Sequence, residues 1–364
     1  MATSGTPLSV QVDWEYMDFL VGGMPRGGTT AVAQLFNFHP DTSCYAAESH
    51  LLPLMMEFAP DKPTPKGALK SAEKILHSQN TSVLIEMPRF SVSRGANAKW
   101  LLFDEADVAL VNTKILGLLE SGLYGAALCR ACMGLFGDHI KARTGKAVIG
   151  EKSPPNVYAF QQFASLADKG TFSLLREPYA VINSMIRRGE NAEDTYASPF
   201  RQETIGLIGL YTQYARAIRA AAMAGNTQIV TYDNLIAASE ETVTTLFDAV
   251  GLHRDDTAIA AAANSVRPKG RGAPWAAMGI RDAALIWHLT KPIRAVHGFD
   301  AAYYDDDEAR CAIGPLDDLD GGSIHVLHGV FQFVPSIAAV GEQMSEHGEA
   351  LFRLGDDARS PSLS

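Results

Sequence analysis

The chain has 364 residues, of which 47% are hydrophobic and 20% are charged, and its formal net charge is −10 at pH 7. This composition excludes a disordered or fibrous protein and allows one large α/β domain or about two smaller ones. The acidic balance argues against nucleic acid and anionic membrane surfaces as partners, because both favour basic proteins. Neither a leader sequence nor a run of about 18 apolar residues occurs, so we expect a cytoplasmic protein without a membrane span.

The first predicted strand runs into a glycine-rich turn. Residues 19–21 (FLV) have the apolar character of a buried parallel strand, and "GGMPRGG" follows them. Apolar residues at helical spacing then place Thr29 and Thr30 near a helix N-terminus. A strand, a glycine loop and a helix start form an anion cradle. Thr29 occupies the lysine position of the G-x-x-x-x-G-K-[ST] loop, which disfavours ATP hydrolysis and leaves Arg26 as the cation of the loop.

Further strands alternate with helix-like stretches along the chain. The strand-like runs are VLIEM at 83–87, AVIG at 147–150, TFSLL at 171–175 and QIVTY at 228–232. This alternation predicts an α/β fold with a doubly wound parallel sheet in three layers. Ligands of such sheets bind beyond the carboxyl ends of the strands, where polar clusters follow three of these runs.

The segment at 172–189 carries groups that can hold a phosphate. Arg176 lies at a strand end, Pro178 suits the first turn of a helix, and Ser184 lies two turns into that helix. An arginine at a strand mouth and a hydroxyl on the adjacent helix can grip one phosphate from two sides. The alternative is a surface arginine and an ordinary helix serine.

Three motifs in this order, "GMPRGGTT", "LLREPYAVINS" and "VRPKGRGAPW", resemble those of the sulfotransferases that use 3′-phosphoadenosine 5′-phosphosulfate (PAPS). The resemblance covers about residues 15–300 and implies the P-loop-like sulfotransferase fold for this domain. In that family the first motif cradles the 5′-phosphosulfate, the second contacts the 3′-phosphate, and the third closes over the same 3′-phosphate. The resemblance therefore implies PAPS as the sulfuryl donor.

Carried over motif by motif, the resemblance implies a set of cofactor-binding residues. Those for the 5′ end are Arg26, Gly27, Gly28, Thr29 and Thr30; those for the 3′-phosphate are Arg176, Ser184, Lys269, Gly270 and Arg271. Tyr232 resembles the tyrosine that packs near adenine. Pro268 stands where many members carry arginine, so either Arg267 or Arg271 replaces that group.

Sulfuryl transfer requires a base for the acceptor hydroxyl and cations for the bridging oxygen of the leaving phosphate. Glu48 resembles the catalytic glutamate of tyrosyl-protein and heparan-type sulfotransferases, and its spacing to His50 is similar to the heparan-type E-x-H. Arg26 stands at the cation position, and Lys152 of "EKSPP" resembles a lysine near the transferred group. We expect Glu151 to hold Lys152 in place. On the residues alone, the alternative for Glu48 is a solvated acid before a helix, and the alternative for His50 is an ordinary histidine at the helix start.

No metal is expected. The remaining histidines, His253 among them, show no H-E-x-x-H or related spacing, and Cys129 and Cys132 are predicted to be two buried helix cysteines. The acidic stretch at 305–308 lacks the spaced ligands of a calcium loop. Residues 301–364 form a predicted C-terminal extension with this acidic loop, an apolar segment that is either a cover or a homodimer contact, and a partly disordered tail.

The resemblance and the residues together predict transfer of a sulfuryl group from PAPS to an acceptor hydroxyl. A carbohydrate or small molecule is the expected acceptor, with lipid and tyrosyl hydroxyls left open. The alternative is a nucleotide-binding relative without catalysis, or a kinase-like phosphotransferase of the same fold.

Overall fold

The computed structural model describes residues 16–45, 48–58, 105–121, 123–266 and 279–299. Within these ranges the strands are β1 (Phe19–Gly23), β2 (Thr42–Tyr45), β3 (Val148–Lys152), β4 (Gly170–Leu175) and β5 (Gln228–Thr231). The predicted strand at 83–87, the third motif and the C-terminal extension at 301–364 lie outside the described residues. The boundary between domain and extension therefore stays a prediction.

Helices connect the strands. In chain order they are α1 (Thr29–Phe36), α2 (Leu51–Phe58), α3 (Glu105–Glu120), α4 (Gly125–Thr144), α5 (Asn156–Gln162), α6 (Pro178–Gly189), α7 (Thr204–Met223), α8 (Tyr232–Ala237), α9 (Ser239–Ala249), α10 (Asp256–Ser265), α11 (Ile280–Leu289) and α12 (Lys291–His297). A short 3₁₀ helix covers Thr195–Phe200. None of the helices in the described ranges combines the length and apolar character needed to span a bilayer.

The strands form one five-stranded sheet in the order β2-β3-β1-β4-β5. Every neighbouring pair is parallel. The chain passes from β1 to the edge strand β2, returns to β3 beside β1, and then crosses to β4 and β5 on the other side. The strand β1 therefore lies in the middle, and its carboxyl end faces the switch point of a doubly wound sheet. Ligands bind at this point in such folds, and the glycine-rich turn follows β1 directly.

Helices cover both faces of the sheet, which confirms the three-layer α/β architecture. Phe19 and Val21 of β1 point into a hydrophobic cluster that includes residues of α1, α9 and α10. Leu20 points into the other cluster, with residues of α4, α5, α6 and α7. This alternation is the period of two expected for a strand that is buried on both faces.

The structure refines the predicted elements at three points. The run predicted as a strand at 147–150 begins at Val148 and continues through Lys152, so the polar pair "EK" belongs to the strand. Strand β2 was not predicted. Tyr232 opens helix α8 rather than ending a strand. The predicted burial of Cys129 and Cys132 is confirmed, since both are fully buried in α4.

Candidate active site

The turn between β1 and α1 is tied to both neighbouring strands. The Gly23 amide donates to the carbonyl of Pro154 after β3 at 3.0 Å, and the Met24 amide donates to the carbonyl of Leu174 in β4 at 3.2 Å. Gly28 has φ 105°, and a Cβ added there would lie 2.8 Å from Cδ2 of Tyr232. Glycine is therefore required at Gly28 both by the backbone and by the ring that packs on it.

Helix α1 begins at this turn without a side-chain hydrogen bond at its N-cap, Gly28. The first amides of a helix have no partner inside the helix. Thr29 and Thr30 contribute two of them, at the carboxyl edge of the sheet beside the exposed Arg26. The geometry matches the anion cradle predicted from the sequence.

Arg26 connects the turn to helix α6. Its Nε donates to Oγ of Ser184 at 3.1 Å. Its backbone has φ 65°, in the left-handed region. Partial desolvation and the neighbouring Arg188 guanidinium lower the pKa of Arg26, although the residue as a whole is exposed. The structure thus places Arg26, predicted to bind the 5′ end of the cofactor, in direct contact with Ser184, predicted to bind its 3′-phosphate.

Arg176 lies over the aromatic face of Tyr232. Its Cζ is 4.0 Å from the centre of the tyrosine ring, which is a cation–π distance. Because Tyr232 also packs on Gly28, these residues form a continuous surface from the turn to the end of β4. Both side chains are half-buried, so each remains partly accessible to solvent.

Arg188 is a cationic neighbour that the sequence analysis missed. It lies one helical turn after Ser184, hence on the same face of α6. Its Nε donates to Oδ2 of Asp194 at 2.9 Å, which fixes its guanidinium beside Arg26. The spacing of Ser184 and Arg188 in "SMIRRG" was the available signal.

Glu48, Lys152 and His50 form a charged group at the end of β3. Lys152 Nζ donates to Oε1 of Glu48 at 2.6 Å, and His50 Nε2 lies 3.4 Å from Oε2 of the same carboxylate. Lys152 is 1% exposed, whereas Glu48 is 28% exposed. Burial alone would raise the pKa of Glu48, but the ammonium of Lys152 and the imidazole of His50 outweigh it and lower the pKa to about 2. Glu48 is therefore an anion at neutral pH and is partly exposed to solvent.

Glu151 does not have the role expected for it. Its Oε1 accepts hydrogen bonds from Ser49 and Ser153, and its Oε2 accepts one from Asn156 Nδ2 at 2.8 Å. The partner of Lys152 is Glu48 instead. The physical reason is that Glu151 and Lys152 are neighbours within β3, where successive side chains point to opposite faces of the sheet.

Tyr158 and Tyr214 form a second feature without a clear signal in the sequence. Their ring centres are 5.1 Å apart. Burial raises the pKa of Tyr158 to about 12. Burial and the charges of Tyr158 and Glu48 raise the pKa of Tyr214 well above its ordinary value. Both phenols are therefore protonated at neutral pH, and Tyr214 lies close enough to Glu48 for the carboxylate to raise its pKa.

His39, Asp41 and His253 come together at the surface, although the sequence analysis placed His253 in no ligand set. His39 Nε2 donates to the carbonyl of His253 at 3.0 Å, and His39 Nδ1 accepts from the amide of Asp41 at 3.2 Å. Both ring nitrogens of His39 are therefore already engaged within the chain. We assign no metal to this group on this geometry.

The remaining predicted cofactor residues lie outside the described residues. They are Arg267, Lys269, Gly270 and Arg271. Their role at the 3′-phosphate, and the choice between the two arginines, stay predictions.

A sulfotransferase family profile matches residues 18–256. A search of curated proteins gave no significant match. The profile covers the turn after β1, the Glu48 loop, Lys152, and the strand and helix that carry Arg176 and Ser184.

Solved structures with similarity to this chain include sulfotransferases. The sulfotransferase domain of the Synechococcus PCC 7002 olefin synthase has 17% identity and a TM-score of 0.40, over 71% of this chain and 80% of that chain. A sulfotransferase from Alicyclobacillus acidocaldarius has 13% identity and a TM-score of 0.40, over 79% and 98%. Retinol dehydratase, solved with retinol and PAP, has 14% identity and a TM-score of 0.32, over 95% and 84%.

The family assignment rests on the profile, because the structural scores are low. Its match includes most of the chain and the main groups of the candidate site. The chain belongs to the sulfotransferase family.

Proposed function

We propose that this protein transfers the sulfuryl group of PAPS to an acceptor hydroxyl. The observation that carries the proposal is the contact between Arg26 and Ser184, which joins the anion-binding turn to helix α6. Arg176 and Arg188 flank that contact. A donor with separate 5′ and 3′ anionic groups fits such a site. ATP has no 3′-phosphate and would leave the groups proposed for that phosphate without a ligand.

The residues assigned to PAPS are those brought together around the turn. Gly27, Gly28, Thr29 and Thr30 hold the 5′-phosphosulfate through backbone amides. Ser184, Arg176 and Arg188 hold the 3′-phosphate. The half-buried ring of Tyr232 supplies an aromatic surface for adenine. The third motif would complete this pocket.

Proton removal from the acceptor is assigned to Glu48. At a pKa of about 2 it is ionised but only weakly basic while Lys152 is bound to it. Contact of Lys152 with the bridging oxygen of the donor would weaken this ion pair and raise the pKa of Glu48 towards its ordinary value. The base would thus strengthen in the complex where it is needed. Lys152 and Arg26 would stabilise the charge that grows on the leaving phosphate.

His50 is the alternative base, because its Nε2 lies 3.4 Å from Glu48. In the arrangement proposed here it supports Glu48 as a second cationic or hydrogen-bonding neighbour. The hydroxyl of a carbohydrate or small molecule is the proposed acceptor. A homodimer, a cytoplasmic location and the lack of a nucleic-acid partner stay predictions of the sequence.

Calorimetry with adenosine 3′,5′-bisphosphate (PAP), and separately with ATP and magnesium, tests the donor. We expect tight binding of PAP, and at least about tenfold weaker binding in Arg176→Ala, because a charge-assisted contact contributes about 1.5–3 kcal/mol. Arg187→Ala is the matched control: Arg187 is exposed on the same helix as Ser184 and should bind PAP like the unmodified protein. Binding of ATP but not PAP would overturn the proposal.

A further inference from the structure

The loop that carries Glu48 and His50 has an unusual backbone. Glu48 has φ 71° and His50 has φ 53°, so two non-glycine residues in the left-handed region flank Ser49. Such a conformation is unfavourable for a residue with a Cβ and persists only where the surroundings hold it. The loop therefore needs an anchor.

The carboxylate of Glu151 provides that anchor. Its Oε1 accepts from the amide of Ser49 at 3.1 Å and from the hydroxyl of Ser49 at 2.8 Å. The same oxygen accepts from Oγ of Ser153 at 2.6 Å, and that Oγ accepts from the amide of His50 at 3.0 Å. Ser49, Glu151 and Ser153 are all fully buried.

The network also reaches the central strand. Asn156 Nδ2 donates to Oε2 of Glu151 at 2.8 Å and to the carbonyl of Val21 in β1 at 3.1 Å. Val21 lies just before the turn that forms the anion cradle. One buried carboxylate therefore fixes the Glu48 loop relative to the strand that carries the phosphate-binding turn.

We infer that Glu151 is a positioning residue that sets the direction of Glu48 and His50 through Ser49 and Ser153. An ionised carboxylate accepts from all of these donors. A glutamine at this position would place its NH₂ group against either the serine hydroxyls or the Asn156 amide, which are all donors. At least one of these hydrogen bonds would be lost, and the anchor of the loop with it. This role rests on the proposed function, because it matters for sulfuryl transfer only if Glu48 acts there.

The test uses Ser49→Ala and Glu151→Gln. PAP-binding sites are counted by calorimetry, and turnover per site is measured as sulfate released from PAPS or transferred to a simple phenol. We expect about tenfold lower turnover for Ser49→Ala and about 100-fold lower turnover for Glu151→Gln, because small displacements of a reacting group have effects of this size. The KM for PAPS should stay within about twofold, because the cofactor groups lie on other elements.

The pH profile separates positioning from a merely structural role. If the loop relaxes, Glu48 of the free enzyme loses Lys152, its pKa rises from about 2, and the acid limb of the kcat/KM profile moves to higher pH. Ser173→Ala is the matched control. Ser173 is another fully buried serine, bonded to Thr227 at 2.9 Å in a different part of the sheet, and its loss should leave the profile unchanged.

The outcomes are distinguishable. The positioning role would be overturned if Ser49→Ala left turnover and the pH profile unchanged. It would also be overturned if the loss of activity were explained entirely by fewer PAP-binding sites. Either result would leave the proposed function intact. If Glu151→Gln does not fold, Ser49→Ala decides alone. An unmodified protein that binds no PAP and turns over no PAPS would overturn both.

Discussion

Replacing Glu48 by glutamine removes the negative charge that Lys152 contacts at 2.6 Å and His50 approaches at 3.4 Å. The pKa of Glu48 falls from an ordinary value of 4.5 to about 2 in the folded protein. A shift of about 2.5 units corresponds to roughly 3 kcal/mol of folding free energy above pH 4.5. Because the folded pKa is the lower one, this contribution is lost as the pH falls from 4.5 through about 2.

Two measurements follow from this charge. The free energy of unfolding of Glu48→Gln, measured with urea, should be about 3 kcal/mol below that of the unmodified protein at pH 7 and should converge on it in acid. Turnover should fall roughly 10²- to 10⁴-fold, the range for a positioned proton acceptor, while PAP affinity stays within about twofold. Asp41→Asn is the control, since the exposed pair of Asp41 with His253 should contribute at most about 1 kcal/mol.

The result that would refute this reasoning is specific. Unchanged turnover in Glu48→Gln with a competent acceptor would remove Glu48 from the mechanism and make His50 the base. A stability difference that persists unchanged at low pH would show that the charge of Glu48 is not the cause.

Two further perturbations act on the cofactor side. Gly28→Ala should destabilise the fold by about 1–3 kcal/mol and weaken PAP binding, because φ is 105° and the new Cβ would lie 2.8 Å from Tyr232. Gly117→Ala is the control, because Gly117 lies in a helix and no atom lies within 4 Å of the added Cβ. Its free energy of unfolding in urea should be unchanged or slightly higher. Equal changes in the unfolding free energy of the two variants would contradict this prediction. Burial raises the pKa of Glu177, the N-cap of α6, to about 7, so the unmodified protein should lose up to about 3 kcal/mol as the pH rises from 4.5 to 7. In Glu177→Gln, the free energy of unfolding measured with urea should not show this decrease between pH 4.5 and 7. If the stability of both proteins changed with pH in the same way, Glu177 would not be its cause.

Local patterns of the sequence predicted the strands and helices that carry the proposed cofactor residues. The strand, glycine turn and helix start at 19–30 are consecutive, and Arg176 and Ser184 lie on one strand–helix unit. Their placement depends on strand and helix geometry over a few residues. The tertiary contact between Arg26 and Ser184 could be expected only because a family resemblance assigned both to one ligand.

The contacts around Glu48 were predicted less well, because they join segments that are distant in the sequence. Glu48 and Lys152 are 104 residues apart, and no local pattern pairs them. Glu151 was expected to hold Lys152 because "EKSPP" resembles a family stretch, and the strand was predicted to end at 150. Extending β3 through Lys152 sends the two side chains to opposite faces.

Strand β2 was missed because "TSCY" is short and has little apolar character at its start. It forms the edge of the sheet and pairs with β3 alone in the described residues. Its position nevertheless matters, because it leads directly into the loop that carries Glu48. Edge strands of this kind depend on tertiary pairing more than on their own sequence.

The conversion of PAPS to PAP by the purified protein, with a simple phenol as acceptor and EDTA present, tests the central claim most directly. Arg26 and Lys152 are proposed to stabilise the charge on the leaving phosphate without a metal ion. This assignment predicts that EDTA does not reduce PAP formation. It also predicts that formation falls at least about 100-fold in Glu48→Gln. Activity that EDTA abolishes and magnesium restores, or transfer of phosphate from ATP in place of sulfuryl transfer, would contradict it.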